Sequence, residues 1–441
     1  MFSRKNLTKL IFPLIVEQFL AVTIGMADTI MVSGVGQAAV SGLSLVDSIN
    51  ILLINIFAAL ATGGAVVASQ YIGREDRESA CVSAKQLIVS TTLFSLIIMV
   101  LSLIGHTAIL DLIFGNVEAD VMSNAQTYFI ISACSYPFIA LYNSGAALFR
   151  SMGNSKITMI TSIIMNLVNV VFNAILIYKF NMGVAGAAIA SLISRLLGSI
   201  IMLYLLRNDN NEIYIDSYKH LGFKPDTIKK ILTVGIPTGL ENGMFQIGKI
   251  ALQSLIATFG TAAIAANAIA NNFASLEVIP GMAIGLATVT IVGQCIGANN
   301  YDMAKKYMLK LMKYAYIIMF FLNITILIFA KPLIGFYNLS SEVTDIAMQL
   351  LICHGVGAMV IWIPSFTLPN GLRAANDAKF TMTVSIFSMW VFRIGFGYLL
   401  GKFLGIGVLG VWIAIIIDWT FRSTMFLTRL FNGKWRNKQL L

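Results

Sequence analysis

Apolar residues run along this chain in twelve stretches, each closed by a shorter polar interval. The stretches fall at about 9–34, 45–70, 86–110, 122–145, 157–178 and 184–206, then at about 230–259, 266–293, 309–331, 346–370, 379–401 and 406–430. Each reaches roughly the 20 residues that an α-helix needs to cross the hydrocarbon of a bilayer. The pattern therefore predicts an all-α membrane protein of twelve transmembrane helices. The longest polar interval, Arg207 to Asp226, carries NDNNE and KPD and reads as a flexible cytoplasmic linker. It divides the chain into an N-terminal lobe at 1–206, a linker at 207–229, and a C-terminal lobe at 230–441 that ends in a short cytoplasmic tail.

The two lobes repeat. Pro13 and Glu17 recur as Pro237 and Glu241. At the same offset Gly36, Ala38 and Ala39 recur as Gly260, Ala262 and Ala263, and Gln70 and Gly73 as Gln294 and Gly297. Arg150, Lys156, Thr158 and Met159 recur as Arg373, Lys379, Thr381 and Met382, one residue closer. Six helices is an even number, so both lobes enter the membrane from the same side. That makes two six-helix bundles related by a parallel pseudo-two-fold repeat about the membrane normal. Two similar bundles on one linker suit rocking alternating access, with a cavity between them. Pro13, Pro137, Pro237, Pro280, Pro364 and Pro369 fall within predicted helices. Each removes a backbone donor there and favours a kink.

Composition sharpens this picture. The chain is 58% hydrophobic and 11% charged, against about 25% charged in soluble domains. Its net charge of +10 comes from 30 Lys and Arg, most of them in one alternating set of loops and termini. Lys179, Lys331 and Lys402 fall on the other side, and Arg195, Lys249 and Arg393 inside helices. This asymmetry places both termini and the basic loops in the cytoplasm, in a multi-pass protein of the cell membrane. The charge is orientation, not a nucleic-acid footprint. The basic start runs into an apolar stretch with no small-residue cleavage site, so it reads as an uncleaved first helix. Four scattered cysteines fit no metal or disulfide spacing. There is no phosphate-binding glycine loop and no catalytic set of paired acids with His or of Ser with Lys. An enzyme, a resident cofactor and a nucleotide-driven pump are all disfavoured.

Candidate chemistry lies where the repeat breaks. Asp28 sits in the first apolar stretch, where a carboxylate costs about 3 kcal/mol on insertion scales. Its repeat mate is Leu252; Asn169, Asn173 and Ser191 have Arg393, Gly397 and Ile415 as mates. Asn166, Asn169 and Asn173 share one face of the fifth helix. One carboxylate with neutral amide and hydroxyl oxygens suits Na⁺, or a proton carried by Asp28. The plain alternative is a hydrogen-bond cluster that only holds helices together. In the C-terminal lobe, Arg393 and Asp418 lie at equal depth on consecutive helices, which predicts a buried ion pair. Lys249 and Glu277 show a similar match near the outer side. Glu241 has no evident basic partner at its depth. It reads as a cavity acid attracting cationic substrate or, from its mate Glu17, as a shared structural residue. His354 reads as a hydrogen-bonded packing residue. Met244, Phe245, Trp362 and Phe366 are candidate lining of an adaptable substrate cavity.

Certain short motifs carry a family likeness. They are Asp28-Thr29-Ile30-Met31-Val32 with Gly34 and Gly36, Tyr71-Ile72-Gly73, and Gly183 to Ser191 (GVAGAAIAS). Val292-Gly293-Gln294 with Gly297-Ala298, Leu372-Arg373 with Asp377, and Asp418-Trp419 with Arg422 and Gly433-Lys434-Trp435 complete the set. With these, in order and over nearly its full length, the chain resembles the multidrug and toxic compound extrusion (MATE) family of antiporters. The resemblance implies a cation site made by an Asp on the first helix, an Asn and an Asp four apart on the fifth, and a Thr on the sixth. Those positions fall on Asp28, Asn169, Asn173 and Ser191. Here Asn173 replaces the second acid and Ser191 replaces the Thr, leaving Asp28 as the sole carboxylate of the set. Some members carry a Glu on the seventh helix at the place of Phe245; Glu241 lies one turn earlier. The implied function is efflux of organic, mostly cationic, compounds by a monomer in exchange for Na⁺ or H⁺, with Na⁺ favoured by the neutral oxygens. The alternative is a lipid-linked oligosaccharide flippase of the wider superfamily, its basic cavity supplied by Arg195, Lys249 and Arg393 if these are unpaired.

Overall fold

A computed structural model describes residues 2–115, 117–218, 222–335, 337, 340–438 and 440. Residues 219–221 of the expected linker lie outside that set. The described residues form helices and no strand. Ten continuous helical stretches are long and apolar enough to cross a membrane. Together with α8 and the end-to-end pair α4 and α5, they make the twelve expected spans.

The first compact unit runs from Met1 to Gly239. It contains α1 (Arg4–Ser33), α2 (Gln37–Gly73), α3 (Arg77–Phe114), α4 (Ala119–Cys134), α5 (Tyr136–Ser151), α6 (Ser155–Asn173), α7 (Gly183–Leu205) and the start of α8 (Pro225–Ala257). The last turns of the α6 span, Ala174–Lys179, are π-helical. Within this unit α1 lies along α6, and α2 packs on α3, α4 and α5. Gly63 on α2 sits where a Cβ would come within 2.9 Å of the Gly235 nitrogen on α8, so only a glycine allows that approach.

The second unit runs from Leu240 to Leu441. After the rest of α8 come α9 (Thr261–Glu277), α10 (Ile279–Gly297), α11 (Tyr301–Ile328), the short α12 (Ala330–Gly335) and α13 (Ser341–Gly357). The α13 span passes through π turns at Ala358–Trp362 into α14 (Ile363–Phe366) and α15 (Leu368–Ala374). Then come α16 (Ala378–Ser388), which continues as π turns Met389–Gly395 and Gly397–Phe403, and α17 (Val408–Phe431).

The repeat reaches into the backbone. Gly36 and its mate Gly260 take φ of 139° and 95°, and Gly183 and Gly407 take 55° and 70°. These values lie where a Cβ is penalised. Glu75 and its mate Asn299 both enter the left-handed region, at 61° and 55°. The next residue of each pair caps a helix: Asp76 accepts from the Ser79 amide at 3.0 Å, and Asn300 from Met303 at 3.1 Å. Local sequence thus ends one helix and starts the next in the same way in both units.

Two expectations change. Pro13 and Pro237 do lie inside helices. Pro137, Pro280, Pro364 and Pro369 instead stand in the first turn of new helical segments. Their missing N–H costs nothing there, so the chain breaks rather than bends. The interval after α7 is also not a loose tether. Arg77 donates to the carbonyls of Asn211 at 2.9 Å and Glu212 at 3.3 Å and lies over the Tyr214 ring. Gln86 accepts from the Lys224 amide at 2.9 Å, Lys85 pairs with Asp216, and Ile213 and Ile215 are fully buried.

Glu17 and Glu241 occupy matching places and do matching work. Glu17 pairs with Arg150 at 3.1 Å and accepts from the Thr158 hydroxyl at 2.6 Å, tying α1 to α5 and α6. Glu241 pairs with Arg373, the mate of Arg150, at 2.7 Å, with Arg422 at 3.6 Å beyond it. Both carboxylates are buried. Removing one partner of such a pair leaves an uncompensated charge, at about 3–5 kcal/mol. Arg373→Ala is expected to fall at the low end of that range, because Arg422 remains. A drop in melting temperature in detergent, partly recovered when Glu241→Gln is added, checks this.

Candidate functional site

The N-terminal unit builds its site on three helices. Asp28 comes from α1, Asn169 and Asn173 from adjacent turns of α6, and Ser191 from α7. The four side chains form one bonded chain. Asn169 Nδ2 donates to Ser191 Oγ at 3.1 Å, and Asn173 Nδ2 donates to Asn169 Oδ1 at 3.1 Å and to Asp28 Oδ1 at 2.5 Å. Asn169 and Asn173 are wholly buried and Ser191 nearly so. The α-helix gives way to π turns directly after Asn173. Asn166 does not join; its amide donates back to the Ser162 carbonyl at 2.8 Å.

One buried atom of these four side chains is unsatisfied. Asn173 Oδ1 is buried with no donor. A buried acceptor without a partner costs about 1–3 kcal/mol and calls for an ion or a water. Turning the Asn173 amide over would bring that oxygen to Asp28. The set would then present a carboxylate, amide oxygens and a hydroxyl, all hard donors that fit a small cation such as Na⁺.

A second layer went unnoticed in the sequence. Asp47 on α2 accepts from the Tyr128 hydroxyl at 3.3 Å and from Asn50 at 3.4 Å. Asn50 in turn accepts from Tyr136 at 2.9 Å. Arg195 on α7 donates to Ser135 at 2.6 Å and lies close enough to act on both Asp28 and Asp47. Two carboxylates and one guanidinium leave a single net negative charge, which one monovalent cation or one proton neutralises. The apolar stretch expected at about 45–70 opens only two residues before Asp47. In fact α2 begins at Gln37 and carries Asp47 well inside the helix.

The C-terminal unit handles its charges differently. Arg393 and Asp418 form an ion pair at 2.6 Å, and Ser388 donates to the same carboxylate. The expected pairing of Lys249 with Glu277 does not occur. Glu277 pairs with His354, which sits edge-on to Trp412 and Trp419. Depth alone matched Lys249 to Glu277, but α13 brings His354 to the carboxylate instead. Glu241, read as lacking a basic partner, has two, so it is no open acid. Of the expected lining residues, Phe245, Phe366 and Trp362 come together. Phe245 and Phe366 are 6.1 Å apart, and Trp362 stacks on Phe366 at 4.9 Å. Met244 is half-buried on the same helix as Phe245.

This arrangement can be set beside known proteins. The sequence matches the MatE family over residues 13–175 and again over 237–399, so the two matches open on the proline pair that opens the repeat. The chain belongs to the MatE family. It is thus a multi-pass membrane protein of a transporter family, and the expected all-α fold and family likeness hold. The chain is 28% identical to the uncharacterized transporter YisQ of Bacillus subtilis, over 98% of this chain and 95% of that one. It is 27% identical to the probable multidrug resistance protein NorM of Thermotoga maritima, over 99% and 94%. Two solved structures share its fold. One is a MOP superfamily transporter from Pyrococcus furiosus, described as having a binding pocket of reverse polarity. It has a TM-score of 0.91 at 22% identity, covering 99% of this chain and 97% of that one. The other is an outward-facing multidrug resistance MATE transporter, with a TM-score of 0.90 at 21% identity, covering 99% and 97%.

If Ser191 supplies an oxygen to a cation, its hydroxyl matters more than its size. Ser191→Thr is expected to keep ²²Na⁺ binding to purified protein within a few-fold of wild type. Ser191→Val, of similar bulk, should lower it about tenfold, the cost of roughly 1.4 kcal/mol. Equal binding by both variants would remove Ser191 from the set.

Proposed function

We propose that this protein is a secondary multidrug efflux antiporter. It exports amphipathic organic compounds in exchange for Na⁺, or for H⁺, by alternating access. The observation that carries this reading is the bonded chain of Asp28, Asn173, Asn169 and Ser191 with its orphaned Asn173 oxygen. The NorM relatives support efflux of drugs as the activity. The expectation of mostly cationic cargo came from the family likeness, with Glu241 as its one candidate acid in the cavity. With that carboxylate held by Arg373 and Arg422, the proposal carries no such charge preference.

In the proposed cycle, a cation from outside reaches Asp28. It takes the carboxylate away from the Asn173 amide and draws in the neutral oxygens. The bond between α1 and α6 through Asp28 and Asn173 is thereby remade, which changes how α1 sits on α6 and releases cargo. The protein reorients, gives up the cation to the cytoplasm, and binds new cargo there. Coupling requires only that cation and cargo favour different conformations. Na⁺ is preferred over H⁺ because a bare proton carrier has no use for three neutral oxygens. We further propose that the protein works as a monomer with both termini in the cytoplasm.

The flippase alternative needed Arg195, Lys249 and Arg393 unpaired. Arg393 is paired with Asp418, and Arg195 is bonded to Ser135 within electrostatic reach of Asp28 and Asp47. One lysine remains, too little positive charge for a pyrophosphate.

The test is efflux from proteoliposomes under a Na⁺ gradient and a pH gradient imposed separately. Efflux of a lipophilic dye driven by Na⁺ and lost in Asp28→Asn is the expected result. Efflux driven by pH alone would make Asp28 a proton carrier. Na⁺-driven efflux that survives Asp28→Asn would sink the assignment.

A further inference from the structure

We infer that Lys249 is a docking point for an acidic group, a carboxylate or phosphate, on the transported compound. This deepens the efflux reading and rests on it for the identity of the ligand as cargo.

The buried acids of the C-terminal unit all have basic partners. Asp418 is matched by Arg393, Glu277 by His354, and Glu241 by Arg373 and Arg422. The acids left over on the spans of this unit, Glu342 and Asp345, are exposed in the first turns of α13, so no buried acid there lacks a basic partner among the described residues. Lys249 has no ion pair among them. An unpaired ammonium is costly in hydrocarbon and marks a functional position by default. Its repeat mate is Gly25, so the charge belongs to one unit only and is no part of the shared scaffold.

The surroundings of Lys249 indicate which way it faces. Phe245, Lys249 and Gln253 recur every four residues and share one side of α8. Gln253 accepts from the Asn267 amide at 3.2 Å, and Asn267 accepts from the Trp412 indole at 2.9 Å. This side of the helix therefore meets polar protein groups. The lysine side chain is exposed at the protein surface. Its Nζ lies 5.3 Å from the centre of the Phe245 ring, and Arg393 Cζ lies 4.7 Å from the same centre. Phe245 meets Phe366, and Phe366 stacks on Trp362. The result is an aromatic floor with, at its edge, an ammonium that has no ion pair among the described residues. A flat apolar body carrying one acidic group is complementary to it: the ring system packs on the aromatics, and the acid takes a charge-assisted hydrogen bond from Lys249.

The competing explanation is that Lys249 merely reaches for the outer surface, since α8 ends two turns later at Ala257. Equilibrium binding of radiolabelled 2-naphthoate and of its uncharged carboxamide to purified protein in detergent separates the two. In the wild type the carboxylate is expected to bind about tenfold more tightly than the amide, the size of one charge-assisted contact. Lys249→Gln should bring that ratio to near one while leaving the amide's affinity unchanged, and Lys249→Arg should keep a carboxylate preference. Equal binding of the two probes by the wild type overturns the inference without any variant. So does a carboxylate preference that survives Lys249→Gln. No ion gradient enters this measurement, so failure of cation coupling and failure of the Lys249 site are read separately.

Discussion

A charge inside a bilayer has no water to lean on, so each one must be paired, bound to an ion, or exposed to a cavity. The structure follows from how that constraint is met. Glu17 with Arg150 and Glu241 with Arg373 tie helices together at matching places of the two units. These pairs belong to the scaffold. Around them each unit deals with its remaining charge in its own way. The first unit keeps two acids, Asp28 and Asp47, around one arginine, and so retains one negative charge. The second pairs Asp418 with Arg393 and Glu277 with His354, sets two arginines on Glu241, and leaves Lys249 without an ion pair among the described residues. A repeat that duplicated the framework has thus come to hold opposite spare charges.

The duplicated framework is backbone as much as side chain. Left-handed residues recur at Glu75 and Asn299, at Gly36 and Gly260, and at Gly183 and Gly407. Turns of this kind fix where one helix ends and the next begins, so helices of both units start from the same positions. That leaves substitution on their inward faces as the means of differentiation. Asn169 against Arg393 is the sharpest case: an amide that bonds Ser191 in one unit is a guanidinium that bonds Asp418 in the other.

Much of the candidate site was legible because its residue types are expensive where they stand. Asp28 and the asparagines of α6 drew attention by their cost in an apolar helix, by the spacing of three and four, and by the family likeness. Asp47 is hard to read from sequence because the small and hydroxyl residues from Gln37 to Ser44 dilute the apolar pattern over the first turns of α2. Glu241 was misread for a different reason. Arg373 lies far along the chain in a short helical segment after a proline break, and no periodicity announces that it returns to α8. The same limit applied to Glu277, for which depth matching chose Lys249 while the packing of α13 delivered His354.

By itself the sequence determined the number and type of spans, the repeat, and the residues too costly to be idle. Apolar length, offset identity and the energetics of charge in hydrocarbon are all properties of the chain read in order. Only the tertiary structure decided which charges cancel, because an ion pair depends on a few ångströms between helices that the chain order does not encode. It also decided that the stretch after α7 is pinned to α3 by Arg77 and Gln86, since a polar run looks the same whether its carbonyls meet water or a guanidinium.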